Sequence, residues 1–346
     1  MRAVRFDGPR CLRIDEIARP AVAGPGDAVI RVSTAAIGPL DLERYGGPDP
    51  WGSVTPGGAC AGVVEEIGRD VRRWRLGDVV LVPSAVQPTG PAGPDQPGQK
   101  AAQPVLGRDI AGSHAGWIHV PAADLNLVSV PDPLNLEAQA VVAAGTYASG
   151  DLAAGLLAPL SPATIAVVGC DPSALAFISA WFSRKPAGGR VVAADSSPGR
   201  VLFARRLGAV GVVDRGAGSA RDAIFRAGEC DRFDAVVVGT RIEGAALDLA
   251  VDLANQKGPI VSLDPPGAGW STPDQAQVTE GPRGRRIISA GYPSISRLDA
   301  MITAIRKGAL DLLPLVSHTF PLAEAASAFE SAFKRERGVL KVLLKP

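Results

Sequence analysis

From Thr164 onward the sequence alternates between apolar strands and helices, and this rhythm restricts the fold more than any other feature. The strand patterns read TIAVVG, GGRVVAAD, GVVD, DAVVVG and GPIVSLD, with SALAFISAWF, RVLFARRLGA and EGAALDLAVDLA as helix patterns between them. Strands that are apolar throughout are typical of a parallel sheet buried on both faces. The alternation therefore predicts a doubly wound α/β domain.

The first 83 residues carry a different pattern, in which short strands are separated by turn signals. Candidate strands span 28–37, 60–68 and 77–83. Many short strands close together predict a small, barrel-like β domain. The stretch 84–111 is rich in Pro and Gly and has no periodicity, so it is expected to be a long loop that is either functional or mobile. The end of the chain returns to a helix, SRLDAMITAIRKGAL, and a strand, GVLKVLLKP.

Composition restricts the compartment and the partners. A chain of 346 residues with 46% hydrophobic residues is long enough for two globular domains. A net charge of +1 gives no electrostatic reason to expect nucleic acid or an anionic membrane as a partner. The four cysteines are far apart, which argues against disulfides and a cysteine-rich zinc site. No signal peptide pattern and no bilayer-length apolar run is apparent, so a cytoplasmic enzyme is expected.

The segment VVGCDPSALA, residues 167–176, lies where the first strand of the α/β domain ends and its first helix begins. Dinucleotide-binding chains carry G-x-G-x-x-G at this turn, because its amides and the positive helix end approach a pyrophosphate. Asp195 ends the next strand, where a carboxylate accepts hydrogen bonds from ribose hydroxyls and repels a 2′-phosphate; a turn or capping role is the alternative. The pattern predicts NAD rather than NADP, with contacts from Gly169, Asp171, Pro172, Ser173, Ala174, Asp195 and Gly239.

Asp171 stands at the second glycine position of that motif, and Ala174 stands at the third. A carboxylate about 5 Å from a pyrophosphate charge costs on the order of 3 kcal/mol at an effective dielectric constant near 20, or about a hundredfold in affinity. Asp171 is expected instead to point away and cap the helix that begins at Pro172. A degraded cofactor site is the alternative.

Segments spread over nearly the whole chain resemble the medium-chain dehydrogenase/reductase family, that of the zinc alcohol dehydrogenases. They are PGGACAGVVEEIG, RLGDVVLVP, HAGWIHVPA, the turn described above, ARRLGA, RKGALDLLPLVSHTFPLAEAASAFE and GVLKVLLKP. The resemblance implies a GroES-like β-rich domain and a Rossmann dinucleotide-binding domain. It implies the boundaries 1–147 for the first, 148–289 for the second, and 290–346 for a return to the first.

The family's metal enzymes bind a catalytic zinc with an early Cys, a His-Glu pair in a P-G-H-E turn, and a Cys, Asp or Glu just before the cofactor domain. These positions correspond to Gly38, to Gly58 and Ala59, and to Gly145 or a neighbour. None of these side chains binds a metal, and a catalytic zinc needs three protein ligands. The family's four-cysteine zinc lobe would fall in 84–111, which has no cysteine. The resemblance therefore implies a zinc-branch member that has lost its metal.

Several polar residues lie on segments that line the family's cleft and are candidates for chemistry. Glu43 stands where alcohol dehydrogenases often place a proton-relay His, so it is a candidate general acid or base. Tyr45 and Tyr147 are candidate O–H donors, with core packing as the alternative. Asp41 matches a mostly structural position, in a segment, GPLD, that resembles the N-P-V-D of zinc-free quinone oxidoreductases. Ser149 falls near a family position that touches the nicotinamide.

Together these features predict a zinc-independent NAD(P)-dependent oxidoreductase that acts on a small conjugated carbonyl, an enone or a specialised metabolite. The alternatives are a non-redox enzyme and a catalytically silent binding protein on the same fold. The resemblance also implies a homodimer, or a tetramer of such dimers, joined edge to edge through the segments 259–263 and 286–291.

Overall fold

The structure is a computed structural model that describes residues 1–49, 52, 54–87, 103–131, 136–184, 189–213, 219–239, 244–264, 273–336 and 338–346. Most of the predicted loop 84–111 lies outside these residues. The chain divides into two compact units. One contains Met1–Gly145 and Pro293–Pro346, and the other contains Thr146–Pro266 and Pro273–Tyr292.

The strands of the described residues are, in chain order, β1 Arg2–Gly8, β2 Cys11–Glu16, β3 Ala28–Ala36, β4 Cys60–Ile67, β5 Val79–Val82, β6 Trp117–Val120, β7 Val128–Ser129, β8 Thr164–Val168, β9 Arg190–Asp195, β10 Val210–Val213, β11 Ala235–Val238, β12 Ile260–Ser262, β13 Gln277–Glu280, β14 Arg286–Ser289, β15 Val316–Pro321 and β16 Lys341–Lys345. The helices are α1 Pro39–Gly46, α2 Ala123–Asn126, α3 Leu136–Val142, α4 Ala148–Leu157, α5 Pro172–Ser183, α6 Pro198–Arg206, α7 Ser219–Gly228, α8 Ala245–Leu253, α9 Ile295–Arg306 and α10 Ala325–Lys334.

The first unit is built on a mostly antiparallel sheet in the order β15-β16-β3-β4-β5-β7, with β6 paired to β3. Alternate residues of β3 and β4, such as Ile30 and Val64, point into one core together with Leu106 and Ile118. The last strand, β16, pairs with β3 near the start of the chain, so the C-terminal segment completes this sheet. The predicted GroES-like β-rich domain is confirmed.

The second unit contains a sheet in the order β10-β9-β8-β11-β12-β14-β13. All of its strand pairs are parallel except β13–β14. The chain runs outward from β8 through β9 to β10, then returns to β11 on the other side of β8. The direction of winding therefore switches between β8 and β11, and ligands of such sheets bind in the crevice at that point. The predicted doubly wound Rossmann fold is confirmed.

The strands assigned to a subunit edge prove to be internal within the described residues. The strand β12 lies between β11 and β14, and β14 is covered by β13. The sequence pattern does not predict β13, whose four residues, Gln-Val-Thr-Glu, are all exposed. Its lack of a buried face removes the alternation that identifies a strand in a sequence. The expectation that 259–263 and 286–291 form a sheet edge is therefore wrong: among the described residues the edges of this sheet are β10 and β13. The pairing of subunits stays a prediction.

One helical stretch, Leu136–Leu160, is long and apolar enough to cross a bilayer by length and composition. This stretch corrects the expectation that the chain carries no bilayer-length apolar run. However, 72% of its most apolar window is buried inside the protein, as in the core helix of a globular protein.

Candidate functional site

The helix α1 places Asp41 between two of the positions that correspond to metal ligands. Asp41 is 2% exposed, and its carboxylate accepts hydrogen bonds from the Gly38 amide and the Gly57 amide, both at 2.8 Å. The first of these amides belongs to the N-cap of α1, and the second lies in the turn 56–59. Asp41 therefore holds Gly38, the first expected ligand position, against the turn 56–59. Both of its carboxylate oxygens have this structural role.

The remaining ligand positions meet in the first unit. A β-carbon built on Gly145 would lie 3.8 Å from the Ala59 β-carbon. The amide of Ala59 donates to the Ser84 hydroxyl at 3.0 Å, and a β-carbon on Gly58 would come within 2.9 Å of that oxygen. The backbone thus brings the ligand positions together, but their side chains are hydrogen or methyl. Within the described chain, no group of three His, Cys, Asp or Glu side chains is arranged to hold a metal.

The buried His114 packs beside this turn. Its Nε2 lies 3.2 Å from the Ala36 carbonyl, its ring meets Phe329 edge to face at 5.5 Å, and its Nδ1 has no hydrogen-bond partner among the described residues. Burial lowers its pKa, so the ring is neutral near pH 7. Gly57 adopts a φ of +112°, and a β-carbon there would stand 2.6 Å from the His114 amide. The turn therefore requires glycine at position 57, because the backbone of His114 is so close.

The structure gives Glu43 and Tyr45 different surroundings on α1. Glu43 is exposed. Tyr45 is 3% exposed, packs on the rings of Phe6 and Phe329, and donates its O–H to Glu330 at 2.9 Å. Burial, followed by Glu330, raises the pKa of Tyr45 to about 12. Its hydroxyl therefore has a structural partner within the core, which is the packing role considered above.

In the second unit, Tyr147 ends a five-residue π-helical turn, Ala143–Tyr147. Such turns are rare and often mark functional sites. Tyr147 is buried, and burial followed by the charge of Asp151 raises its pKa. Ser149 donates to the Thr146 carbonyl at 3.3 Å. The Thr146 hydroxyl is itself buried and has no hydrogen-bond partner among the described residues, a feature that the sequence analysis missed.

The cofactor turn begins with Gly169, whose φ of +81° favours glycine. Asp171 is the N-cap of α5, as predicted, and its Oδ1 accepts hydrogen bonds from the amides of Ser173 and Ala174, both at 3.0 Å. These two amides belong to the unpaired donors of the first helical turn, which are the groups that a phosphate would use. The predicted cap is confirmed. It leaves the carboxylate at the N-terminus of α5, on amides that a phosphate would use, rather than turned away from them.

Asp195, at the end of β9, is also bound to the backbone. One of its oxygens accepts from the Cys170 amide and the other from the Ser197 amide, each at 2.7 Å. Each carboxylate oxygen has a second lone pair, so these bonds leave Asp195 able to accept from ribose hydroxyls. Asp195 is thus suited to the ribose of a dinucleotide, whereas a pyrophosphate would compete with Asp171 for the Ser173 and Ala174 amides at the helix terminus.

Comparison with known proteins gives a matching domain family and several relatives of this chain. The alcohol dehydrogenase GroES-like domain family matches residues 24–132. A medium chain reductase/dehydrogenase, ucsI, of an Acremonium species is 31% identical over 281 residues, which cover 76% of this chain and 93% of that protein. This chain belongs to the medium-chain dehydrogenase/reductase family. It is an oxidoreductase of the alcohol dehydrogenase type, as the resemblance implied.

Other relatives extend the likeness to the full chain of this family member. A probable zinc-binding alcohol dehydrogenase of Mycobacterium tuberculosis is 27% identical over 100% of this chain and 89% of its own. The alcohol dehydrogenase TADH of Thermus sp. ATN1 superposes with a TM-score of 0.75 at 25% identity, over 100% of this chain and 99% of that one. The first of these is named as zinc-binding.

Proposed function

We propose that this family member is a zinc-independent, NAD(H)-linked oxidoreductase that transfers hydride to or from a small conjugated carbonyl, an enone or a quinone. The observation that carries the proposal is the meeting of Gly145 and Ala59, 3.8 Å apart at their β-carbon positions, where the family's metal enzymes place ligands. The side chains at these expected ligand positions are hydrogen and methyl, which supports a mechanism without zinc.

The side chains at these positions favour one class of substrate. A catalytic zinc polarises a carbonyl or lowers the pKa of an alcohol. Glycine and alanine supply neither effect, so an unconjugated ketone or a simple alcohol would react slowly. In a conjugated acceptor, the negative charge develops on an oxygen remote from the carbon that accepts hydride, and a hydrogen-bond donor suffices to stabilise it. The proposal therefore names enones and quinones.

Among the proposed catalytic residues, the placements favour Glu43 for proton transfer, because it is exposed and its carboxylate has no hydrogen-bond or ion-pair partner among the described residues. Tyr147 remains proposed as an O–H donor. Asp41 and Tyr45 are proposed as positioning residues, since their polar atoms already bind Gly38, Gly57 and Glu330. Asp195 is proposed to select NAD over NADP. We also propose a homodimer, or a tetramer of such dimers, that works in the cytoplasm without nucleic acid or membrane partners.

The test is turnover by protein that has been dialysed against a chelator. NADH oxidation is followed at 340 nm with an enone, a quinone and an unconjugated ketone of similar size. We expect the conjugated acceptors to react at rates that the chelator does not change, and Glu43→Gln to lower kcat by about 10²-fold or more. Asp222→Asn, an exposed change on α7, serves as the matched control. Activity that requires added zinc, or that is confined to alcohols and simple ketones, contradicts the proposal.

The engagement of the Ser173 and Ala174 amides by Asp171 favours a second candidate, a non-redox enzyme or a catalytically silent binding protein on the same fold. The two candidates differ in nucleotide binding and turnover. The second is supported if neither NADH nor NADPH changes the melting temperature or the Trp fluorescence of the protein, and if no acceptor is reduced.

A further inference from the structure

We infer that Asp171 is a specificity-determining internal anion, which occupies the pyrophosphate position at the start of α5 and lowers the affinity of this crevice for ligands that carry a diphosphate. The inference rests on the proposed function, because it takes the crevice between β8 and β11 as the nucleotide site. It reverses the usual property of such a turn, which attracts phosphate through free amides and a positive helix end.

Five backbone donors of the turn, the amides of Gly169, Cys170, Ser173, Ala174 and Leu175, are used internally. Pro172, at the first helical position, has no N–H, and the two amides that follow it donate to Asp171. The Cys170 amide donates to Asp195 at 2.7 Å. The Gly169 amide donates to the Ala194 carbonyl at 2.8 Å, and the Leu175 amide donates to the Asp171 carbonyl at 2.9 Å. A pyrophosphate that used the Ser173 or Ala174 amide would have to displace Asp171 from it.

The packing around Asp171 holds its carboxylate in this place. Asp171 is 6% exposed. A β-carbon on Gly239, at the end of β11, would lie 2.8 Å from Asp171 Oδ2, so the carboxylate fills the space between the ends of β8 and β11. That space is the topological switch point of the sheet, where ligands of this fold class bind. The obstruction is therefore both steric and electrostatic.

Two carboxylates of this turn, Asp195 and Asp171, act on the Cys170 thiol. After burial, which has the largest effect, the charge of Asp195 and then that of Asp171 raise the pKa of the thiol, and Arg200 lowers it. The ribose contact at Asp195 does not involve Asp171, so the inference predicts that Asp171 discriminates against phosphate while leaving nucleoside binding unchanged.

The experiment is isothermal titration of NADH, ADP and adenosine into the full-length wild type, Asp171→Gly and Asp171→Asn. Asp171→Gly empties the position, so we expect at least a tenfold gain in affinity for NADH and ADP and no change for adenosine. Asp171→Asn keeps a capping oxygen and removes the charge, so a smaller gain for ADP is expected. If Asp171→Gly fails to fold, Asp171→Asn alone tests the inference. Asp222→Asn is the control for loss of a charge elsewhere in this unit.

The outcomes separate this inference from the proposed function. No gain in ADP or NADH affinity for either folded variant, including no binding at all, overturns the inference. An equal gain for adenosine overturns it as well, because the effect would then not depend on phosphate. If the wild type oxidises NADH with a conjugated acceptor and the variants bind no better, the proposed function stands and the inference fails. If the variants bind NADH and no acceptor is reduced, the inference stands and the proposed function fails.

Discussion

Gly239 lies directly against the Asp171 carboxylate, because a β-carbon added to it would stand 2.8 Å from Oδ2 and 3.1 Å from Cγ. The φ angle of Gly239 is not positive, so alanine can adopt the same backbone conformation. We expect Gly239→Ala to push Asp171 off the Ser173 and Ala174 amides and to lower the free energy of unfolding by about 1 kcal/mol, the value of a helix cap. Urea unfolding monitored by circular dichroism measures this change.

A double-mutant cycle isolates this contact from any other effect of the alanine. In the Asp171→Gly background the clashing atoms are gone, so Gly239→Ala is expected to cost nearly nothing. An equal cost in both backgrounds would show that the two residues do not interact.

The Tyr45–Glu330 contact predicts a dependence of stability on acid. Hydrogen bonds from Arg10, Lys334 and Tyr45 lower the pKa of Glu330 from 4.5 to about 2. A depressed pKa stabilises the folded state above the unfolded value and loses that contribution as pH falls from about 4.5 to about 2. We therefore expect Glu330→Gln to lower the melting temperature at pH 7, and the difference from wild type to shrink below pH 4.5. The exposed Glu336→Gln is the control, and a difference that is constant with pH rules out this explanation.

Asp195 predicts a preference for NADH over NADPH. Its carboxylate would meet a 2′-phosphate with like charge, which we expect to weaken NADPH binding at least tenfold relative to NADH. Fluorescence titration in the Asp171→Gly background measures both affinities where binding is strongest. Asp195→Asn, which retains an oxygen for the Cys170 amide, is expected to reduce the preference. Tighter binding of NADPH than of NADH would contradict this prediction. Asp195 would then have only the structural role given by its backbone contacts.

The exposed strand β13 predicts how two copies of the chain pair. All four of its residues are exposed, Val278 by 48%, and it ends the sheet of the second unit. An unpaired edge is satisfied by a second copy across a two-fold axis, so we expect a dimer or a dimer-based tetramer by light scattering at micromolar concentration. Val278→Lys is expected to shift the protein toward monomer. Leu202→Lys, an exposed site on α6, is the control. A wild-type monomer refutes this prediction.

The sequence predicts the fold well wherever burial leaves a periodic pattern. The strand pattern 234–239 matches β11, Ala235–Val238, because a strand buried on both faces is apolar throughout. The cap at Asp171 was also predictable, since Asp before Pro is a local signal. The strand β13 was not, because its residues have no buried face.

The candidate site depends more on contacts that are distant in sequence. Glu330 lies 285 residues from Tyr45, so no local pattern indicates that it accepts the Tyr45 hydroxyl. Similarly, the sequence places Asp171 at the cap but does not show that the capping amides are those a pyrophosphate would need. The direction of that carboxylate follows from the packing of Gly239 against it.

The central claim is that a member of a family with zinc enzymes retains the backbone of the metal site without its ligands. Elemental analysis of protein purified from zinc-supplemented culture tests it most directly, together with the melting temperature before and after treatment with a chelator. We expect less than stoichiometric zinc and no shift in melting temperature, because the positions Gly38, Gly58, Ala59 and Gly145 offer no donor atoms. One tightly bound zinc per chain, whose removal lowers the melting temperature, would contradict the account.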